Sequence, residues 1–464
     1  MNALFVNFTR RTFALIACET LLIIAAIGLG AWIRLGGDTW TLLLAGHGLP
    51  KAFLIAAVCQ VCLYYADMYE LRTHADRREL FVGIVQALSA TSFLLAALYF
   101  WSPSLVIGRD VFAVSSLLVL GSVAGWRVVF EWLTLQAAPR ERLLVVGTEP
   151  AAVALARELF SRRQELGIDI VGFIDPDPSR LGAPVINPGV IGTVDDIPAI
   201  VRGRNVDRVV VSLGDARGKL PMDKLLEMKL EGVSFDHLAS IYEELTGKIA
   251  VENLRPSWLI FSSGFRKSRL VRSTKRLIDV AAAIIGLTLA GPIMLAVAAL
   301  VKLTSSGPAL YMQRRVGQHG RLFMVFKFRS MRQDAEVGTG AVWARKNDDR
   351  VTPIGRFLRR TRLDELPQLW NVLTGDMSLV GPRPERPEFV QKLTEQIPFY
   401  GQRHVVRPGL TGWAQVRYTY GSSTEDAMQK LQYDLYYIKN LSIALDLFII
   451  VSTIKTVIMR KGAQ

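Results

Sequence analysis

Cysteine and histidine are scarce in this chain, and their scarcity excludes several chemistries. Three cysteines in 464 residues, Cys18, Cys59 and Cys62, are too few for a disulfide-built scaffold. Cys59 and Cys62 form a CxxC pair, but it lies in an apolar run with no second CxxC and no nearby histidine, so packing is the reading and not zinc. The five histidines show no HExxH or paired-ligand spacing, and no protein-caged transition metal is expected. Acidic residues are the deficient charge, 41 against 55 basic ones, for a formal net charge of +14. That surplus suits nucleic acid, anionic lipid headgroups or phosphorylated substrates, and charge alone does not choose among them. Two nucleotide-binding signatures are also missing. Gly147 is followed by Thr148, Glu149 and Pro150 with no GxGxxG, which makes cofactor binding there doubtful. None of the twelve tyrosines has a lysine four residues on, which argues against a membrane-anchored nucleotide-sugar epimerase or dehydratase.

What is abundant is apolar surface: half of the residues are hydrophobic and the mean hydropathy is +0.28. Four apolar stretches, 13–33, 52–69, 81–101 and 111–133, each approach the ~20 residues that cross a bilayer core, so residues 1–138 are expected to form a four-helix membrane bundle. The first stretch is too long for a cleaved signal peptide and lacks a small-residue cleavage site. Arg10 and Arg11 precede the first span, Arg72, Arg77 and Arg78 fill the loop between the second and third, and Arg140 and Arg142 follow the fourth, whereas the loop between the third and fourth spans offers only Arg109. By the positive-inside rule the N-terminus and everything after about residue 135 are expected to face the cytoplasm.

From 139 to 250, short apolar runs alternate with helical patterns, which predicts an α/β, Rossmann-like domain with a parallel sheet in a structural or regulatory role. A linker, 251–275, carries Pro256, Ser262, Ser263 and Gly264 and ends in basic residues. Residues 276–464 are expected to form a mainly α, membrane-associated catalytic domain. Its apolar stretch 277–301 would make a helix of roughly 37 Å, but Gly291-Pro292 interrupts it. Lys275, Arg276 and Lys302 mark both ends as cytoplasmic, so a re-entrant helix is predicted.

Between Arg314 and Arg362 stand thirteen Lys or Arg residues against four acidic ones. Such a run is often only a solvated face, yet this one follows a membrane segment and leads into Leu363-Asp364-Glu365-Leu366-Pro367. Basic clamps and Mg²⁺ neutralise a diphosphate; an Asp carboxylate can then attack phosphorus and form an acyl phosphate, while the neighbouring Glu helps to hold the metal.

At these residues the sequence resembles the bacterial sugar transferases called monotopic phosphoglycosyl transferases, or polyprenyl-phosphate hexose-1-phosphate transferases. The match lies in RRTRLDELPQLWNVLTGDMSLVGPRPE (359–385), with VFKFRSM (325–331) upstream and RPGLTGWAQVRY (407–418) downstream in the same order. The spans and the Rossmann-like insert resemble the long, exopolysaccharide-type members. The resemblance implies Asp364 as the nucleophile that takes the phosphosugar and releases UMP, and Glu365 as its Mg²⁺-linked partner. It implies phosphate or nucleotide-sugar binding by Lys327, Arg329, Arg359, Arg383 and Arg407, and a membrane-helix break at Gly291 and Pro292. The implied partners are a UDP-sugar, polyprenyl (undecaprenyl) phosphate, the lipid bilayer and a second copy of the chain, with no nucleic acid. Arg362 departs from the pattern, since many relatives have a small residue there.

Trp370, Leu369, Leu373 and Leu379 are expected in the core, and Trp413 is left open between core and interface. His404 has no partner visible in sequence. The tail 447–459 is short and holds Lys455, so a packed or interfacial helix is expected. A scaffold or chain-length regulator, in which Asp364 would be dispensable, is the non-enzymatic alternative.

Overall fold

The computed structural model describes residues 10–39, 48–66, 68–69, 77–106, 109–137, 141–161, 163–212, 222–251, 262, 264–333, 335, 348–418, 421 and 423–458. Arg72, Arg140, Pro256, Ser263 and Met459 lie outside the described residues.

Four long helices come first: α1 (Arg10–Leu35), α2 (Gly48–Tyr65), α3 (Arg77–Trp101) and α4 (Arg109–Ala137). They are apolar on every side, so the inner face packs while the outer one stays bare. Ile23, Ala56, Cys59, Leu63, Ile84 and Val123 are buried between helices, while Leu21, Phe93, Phe100 and Trp132 are exposed. With the helix at 269–304, five described helices are long and apolar enough to cross a membrane, and the chain is a membrane protein. The bundle has a buried polar staple: Arg127 Nε bonds Glu19 Oε1 at 2.6 Å, Arg127 Nη1 donates to the Met68 carbonyl at 2.6 Å, and Tyr69 donates to Glu19 Oε2 at 2.6 Å. These bonds offset much of the cost of burying the two charges, although Arg127 Nη2 has no hydrogen-bond partner among the described residues.

The middle domain is a five-stranded, all-parallel sheet in the order β3-β2-β1-β4-β5. Its strands are β1 (Glu141–Val146), β2 (Ile168–Ile174), β3 (Val190–Gly192), β4 (Arg208–Val211) and β5 (Ser234–His237). Helices α5 (Pro150–Ser161), α6 (Ile197–Gly203), α7 (Met222–Leu230) and α8 (Leu238–Thr246) are interleaved with them. A parallel sheet needs both faces covered, which explains the apolar runs 143–146 of β1 and 170–174 of β2.

Helix α9 (Arg269–Thr304) follows. The break expected at Gly291-Pro292 is not an interruption of the helix, which continues with Pro292 inside it. Proline removes one backbone hydrogen bond but leaves the flanking turns intact. Both limbs of α9 pack on the same domain. Arg276 donates to the Val372 and Leu373 carbonyls at 2.6 and 2.8 Å, Ala283 packs with Val325 and Val372, and Val297 and Val301 pack with Phe328 and Leu358. Between these anchors Leu289, Ile293 and Leu295 form an apolar face left exposed among the described residues.

The rest of the domain comprises an antiparallel hairpin, β6 (Leu310–Val316) and β7 (Leu322–Phe328), then α10 (Pro353–Thr361), α11 (Gln368–Thr374) and β8 (Ser378–Val380). After these come α12 (Pro387–Gln396), β9 (Gly409–Thr411), α13 (Trp413–Arg417), α14 (Thr424–Asn440) and α15 (Ile443–Ile458). Trp413, left open by sequence, is a domain staple: it is buried and its Nε1 donates to the Gly247 carbonyl at 2.9 Å. Lys439 pairs with Glu243 at 2.6 Å, and Ile249 and Val251 enter the same core as Trp413. The C-terminal helix α15 packs as expected of a short helix: Leu445 and Ile449 are buried, and Lys455 donates to the Tyr64 carbonyl at the end of α2 at 2.9 Å.

Candidate active site

The site is assembled where α10 ends, and capping chemistry fixes that end. Thr352 caps the helix by accepting from the Gly355 amide at 3.0 Å, with Pro353 in the first turn. Gly355 runs so close to the Ser330 carbonyl that no Cβ would fit. Arg362 then adopts a left-handed conformation (φ 60°), which stops the helix and turns the chain into a single 3-10 turn, Leu363–Glu365. Asn371 pins α11 to β7, its Nδ2 donating to the Met324 carbonyl at 2.7 Å and its Oδ1 accepting from the Phe326 amide at 3.1 Å. These contacts bring Lys327 of β7 onto the Asp-Glu turn.

Glu365 is mostly enclosed, its side chain 11% exposed, and is clamped by cations. Arg383 Nη2 lies 2.8 Å and Lys327 Nζ 3.1 Å from Oε1, and Arg362 Nη1 lies 3.6 Å from Oε2. Burial pushes its carboxyl up, but Arg383, Lys327 and Arg362 together hold it well below the usual carboxylate range. Asp364 goes the other way. It is 7% exposed, its Oδ1 has no hydrogen-bond partner among the described residues, and burial followed by the charge of Glu365 pushes it up to about 6 against the pull of Lys327, Arg359 and Arg362. Two adjacent carboxylates are thus driven apart by environment, a pattern found where carboxylates divide a chemical task.

Of the basic residues singled out in the sequence, the structure brings Lys327 and Arg383 onto Glu365. Arg359 lies in the field of Asp364 and is held by Nε donating to Ser330 Oγ at 2.9 Å. Arg329 is not brought to the pair. It is buried, and its Nη2 donates to the Ser305 carbonyl and Oγ, both at 2.8 Å, which anchors the end of α9. Arg407 makes no side-chain hydrogen bond or ion pair among the described residues; its carbonyl faces Gly381. That approach ties two of the sequence motifs together. Gly381 and Gly409 leave no room for a Cβ between β8 and β9, where the Gly381 amide bonds the Thr411 carbonyl and the Gly409 amide bonds the Pro382 carbonyl, each at 2.9 Å.

Sequence reasoning missed the supports beneath Arg383. The buried Arg403 donates to the Arg383 carbonyl at 3.1 Å and to Asp434 at 2.7 Å, and Arg315 donates to the Pro384 carbonyl at 3.0 Å. A charged residue within a 17-residue amphipathic helix reads as solvated, so Asp434 gave no signal. Trp370 corrects an expectation: it is 52% exposed because α11 turns Gln368, Leu369, Asn371 and Val372 inward and leaves Trp370 on the outer side. His404 is pulled down to about 4 by burial and by Arg403, so it is neutral at pH 7.

Among the described residues no group of three His, Cys, Asp or Glu side chains gathers into a metal cage. Mg²⁺ does not need one, since it is usually held by one or two carboxylates together with substrate phosphates and water. The orphaned, buried Oδ1 of Asp364 is a donor of that kind, with Glu365 beside it, so the pair fits such an ion.

The family profile described as bacterial sugar transferase matches residues 270–460, and that of a CoA-binding domain matches residues 65–219. The chain is 45% identical over 228 residues to a UDP-N-acetylgalactosamine-undecaprenyl-phosphate N-acetylgalactosaminephosphotransferase of Aeromonas hydrophila, covering 49% of this chain and 53% of that one. It is 37% identical over 343 residues to a UDP-glucose:undecaprenyl-phosphate glucose-1-phosphate transferase of Xanthomonas campestris pv. campestris, covering 71% of this chain and 69% of that one. An Escherichia coli (strain K12) protein with the latter activity in its name is 33% identical over 70% of this chain and 69% of its own length. The chain therefore spans from about half to just over two thirds of these relatives.

Proposed function

The chain belongs to the bacterial sugar transferase family, and from that premise we propose that it transfers a sugar 1-phosphate from a UDP-sugar to undecaprenyl phosphate through a covalent phosphosugar on Asp364. The observation that carries this reading is the unpartnered, buried Oδ1 of Asp364 beside a Glu365 already neutralised by Arg383, Lys327 and Arg362. A nucleophile needs a free lone pair, and a diphosphate needs cations that a second carboxylate does not repel. In the step, a lone pair of Oδ1 forms a bond to the sugar-bearing phosphorus. The bond from that phosphorus to the anhydride oxygen breaks, and its electron pair leaves on UMP. A phosphate oxygen of the polyprenyl carrier then displaces the Asp364 carboxylate from the same phosphorus. When bound at Asp364 and Glu365, Mg²⁺ would neutralise charge on the diphosphate.

A helix that bends at Pro292 to dip into one leaflet and return is supported by its exposed apolar face and by the packing of both of its limbs on one domain. The same reading puts the catalytic domain on the cytoplasmic side of the inner membrane, where nucleotide sugars are made. It also carries a homodimer, supported by the family resemblance.

Two results test the function. Purified protein with Mg²⁺, undecaprenyl phosphate and a panel of UDP-sugars should release UMP with one donor and should not release UDP. UDP as the product would mean ordinary glycosyl transfer. Second, kcat/KM reports free-enzyme ionisations, and the nucleophile must be ionised. Because Asp364 is raised to about 6, kcat/KM should climb with pH below about 6 and level off above it. A profile flat across that value would remove Asp364 as the ionising nucleophile.

A further inference from the structure

A second buried polar group, four residues after Asp364 in the same motif, also lacks a partner. Gln368 is 4% exposed, and its Nε2 has no hydrogen-bond partner among the described residues. Native proteins seldom leave a buried amide unpaired, because its lost hydration is not repaid. The turn carrying Asp364 runs into α11 without a break: Leu366 (φ −55°, ψ −37°) and Pro367 (φ −61°, ψ −17°) are helical, and the Leu369 amide bonds the Leu366 carbonyl at 3.0 Å. The backbone bonds through this stretch run from i+3 to i, so Asp364 stands one tightened turn ahead of Gln368, while Gln368 and Asn371 share one face of α11. Asn371 shows where that face points, because both ends of its amide bond the β7 backbone. Lys327, from the same strand, reaches Glu365. One short stretch of chain thus carries two residues, Asp364 and Gln368, each left with a buried, unpaired atom. One is a carboxylate oxygen, an acceptor and nucleophile; the other is an amide N–H₂, a donor.

A tetrahedral phosphoryl group matches that pair. Its phosphorus takes the carboxylate lone pair, and its non-bridging oxygens take hydrogen bonds. We propose that Gln368 is a further catalytic residue, whose side-chain amide donates a hydrogen bond to a non-bridging oxygen of the sugar-bearing phosphate as Asp364 attacks it. This rests on the transfer reading given above. No proton moves: Gln368 stays neutral throughout, the P–O bond to Asp364 forms as the anhydride bond breaks, and UMP departs with the electron pair. A preorganised donor of this kind acts where charge shifts in the transition state and costs no rearrangement when the reaction occurs. It complements the arginines and Lys327, which bring charge while the amide brings direction.

The test compares Gln368→Met and Gln368→Glu in the full-length protein, following UMP release from the preferred UDP-sugar and the melting temperature, with Asp364→Asn alongside. Both replacements keep the length of the side chain and remove its donor. The expected result is a fall in kcat of about 100-fold or more in both variants, with donor KM changed by no more than about threefold. Gln368→Met should melt at or above the parent temperature, since it removes an unpaired buried amide. A kcat near the parent value in either variant overturns the proposal. So does a rise in KM with kcat kept, or a melting temperature that falls in step with kcat in both, which would make Gln368 a packing residue. Asp364→Asn separates the two readings. If it is inactive while Gln368→Met runs at full rate, only the role of Gln368 falls; if it stays active, covalent transfer on Asp364 falls and this proposal with it.

Discussion

Asp364→Asn should abolish transfer while leaving the protein as stable at neutral pH as its parent, or more so. Removing a nucleophile from a covalent mechanism typically costs about 10³-fold or more in kcat. The stability half of the expectation follows from the raised carboxyl. A carboxylate whose folded-state pKa lies above its unfolded value holds its proton more tightly when folded, so ionising it costs stability. That cost is absent below the unfolded value near 4, grows between there and about 6, and is complete above. Asparagine has the same shape and no charge to desolvate, so the variant escapes this cost at pH 7.5. The melting temperatures of the two proteins in the same detergent should therefore converge at pH 5 and differ, if at all, in favour of the variant at pH 7.5. A variant with lost activity and a markedly lower melting temperature at pH 7.5 would show that the carboxylate holds the fold, and its inactivity would say nothing about chemistry.

Glu365→Gln is expected to do the reverse and destabilise the domain as well as inactivate it. Glu365 is 11% exposed in its side chain and neutralises Arg383, Lys327 and Arg362. Glutamine keeps an oxygen that accepts from Arg383 and Lys327 but loses the charge, and the three cations are 22–39% exposed, so water screens part of the loss and the cost is about 1–3 kcal/mol. The pH dependence has the opposite sign to that of Asp364. A carboxyl held below its unfolded value contributes stability above that value, near 4, and loses it as the pH falls toward the folded value. The destabilisation should thus be full at pH 7 and shrink as the solution is acidified. Combining Glu365→Gln with Arg383→Gln should cost less than the sum of the two single changes, because each removes the same 2.8 Å contact. Strict additivity in a thermal or denaturant titration would mean that Glu365 and Arg383 are not energetically coupled.

The pairing of Arg383 with Glu365 also shows why the ordered motifs lie so far apart in the chain. Lys327 comes from a hairpin strand, Glu365 from the turn after α10 and Arg383 from the segment after β8. Arg383 is held in place by Arg403, which is fixed in turn by Asp434 on α14. The glycines at 381 and 409 let the two downstream motifs touch backbone to backbone.

By itself the sequence determined the four apolar helices, the parallel-sheet domain, the family motifs and the Asp-Glu pair, because each is a local signal: a run long enough for a bilayer, alternation of short strands and helices, or an adjacency of charged residues in an apolar frame. Even the glycines of the motifs were legible as positions, though not for what they do. The tertiary structure alone decided which basic residues lie against the Asp-Glu pair. Arg329 and Lys327 are two residues apart on or beside one strand, yet one anchors the end of α9 and the other binds Glu365. It alone buried Gln368 and exposed Trp370, two residues apart on one short helix. It also kept α9 continuous through Pro292, because packing at both limbs outweighs one lost hydrogen bond. Charge, burial and pairing depend on what folds back from elsewhere in the chain, and a side chain's formula does not record its neighbours.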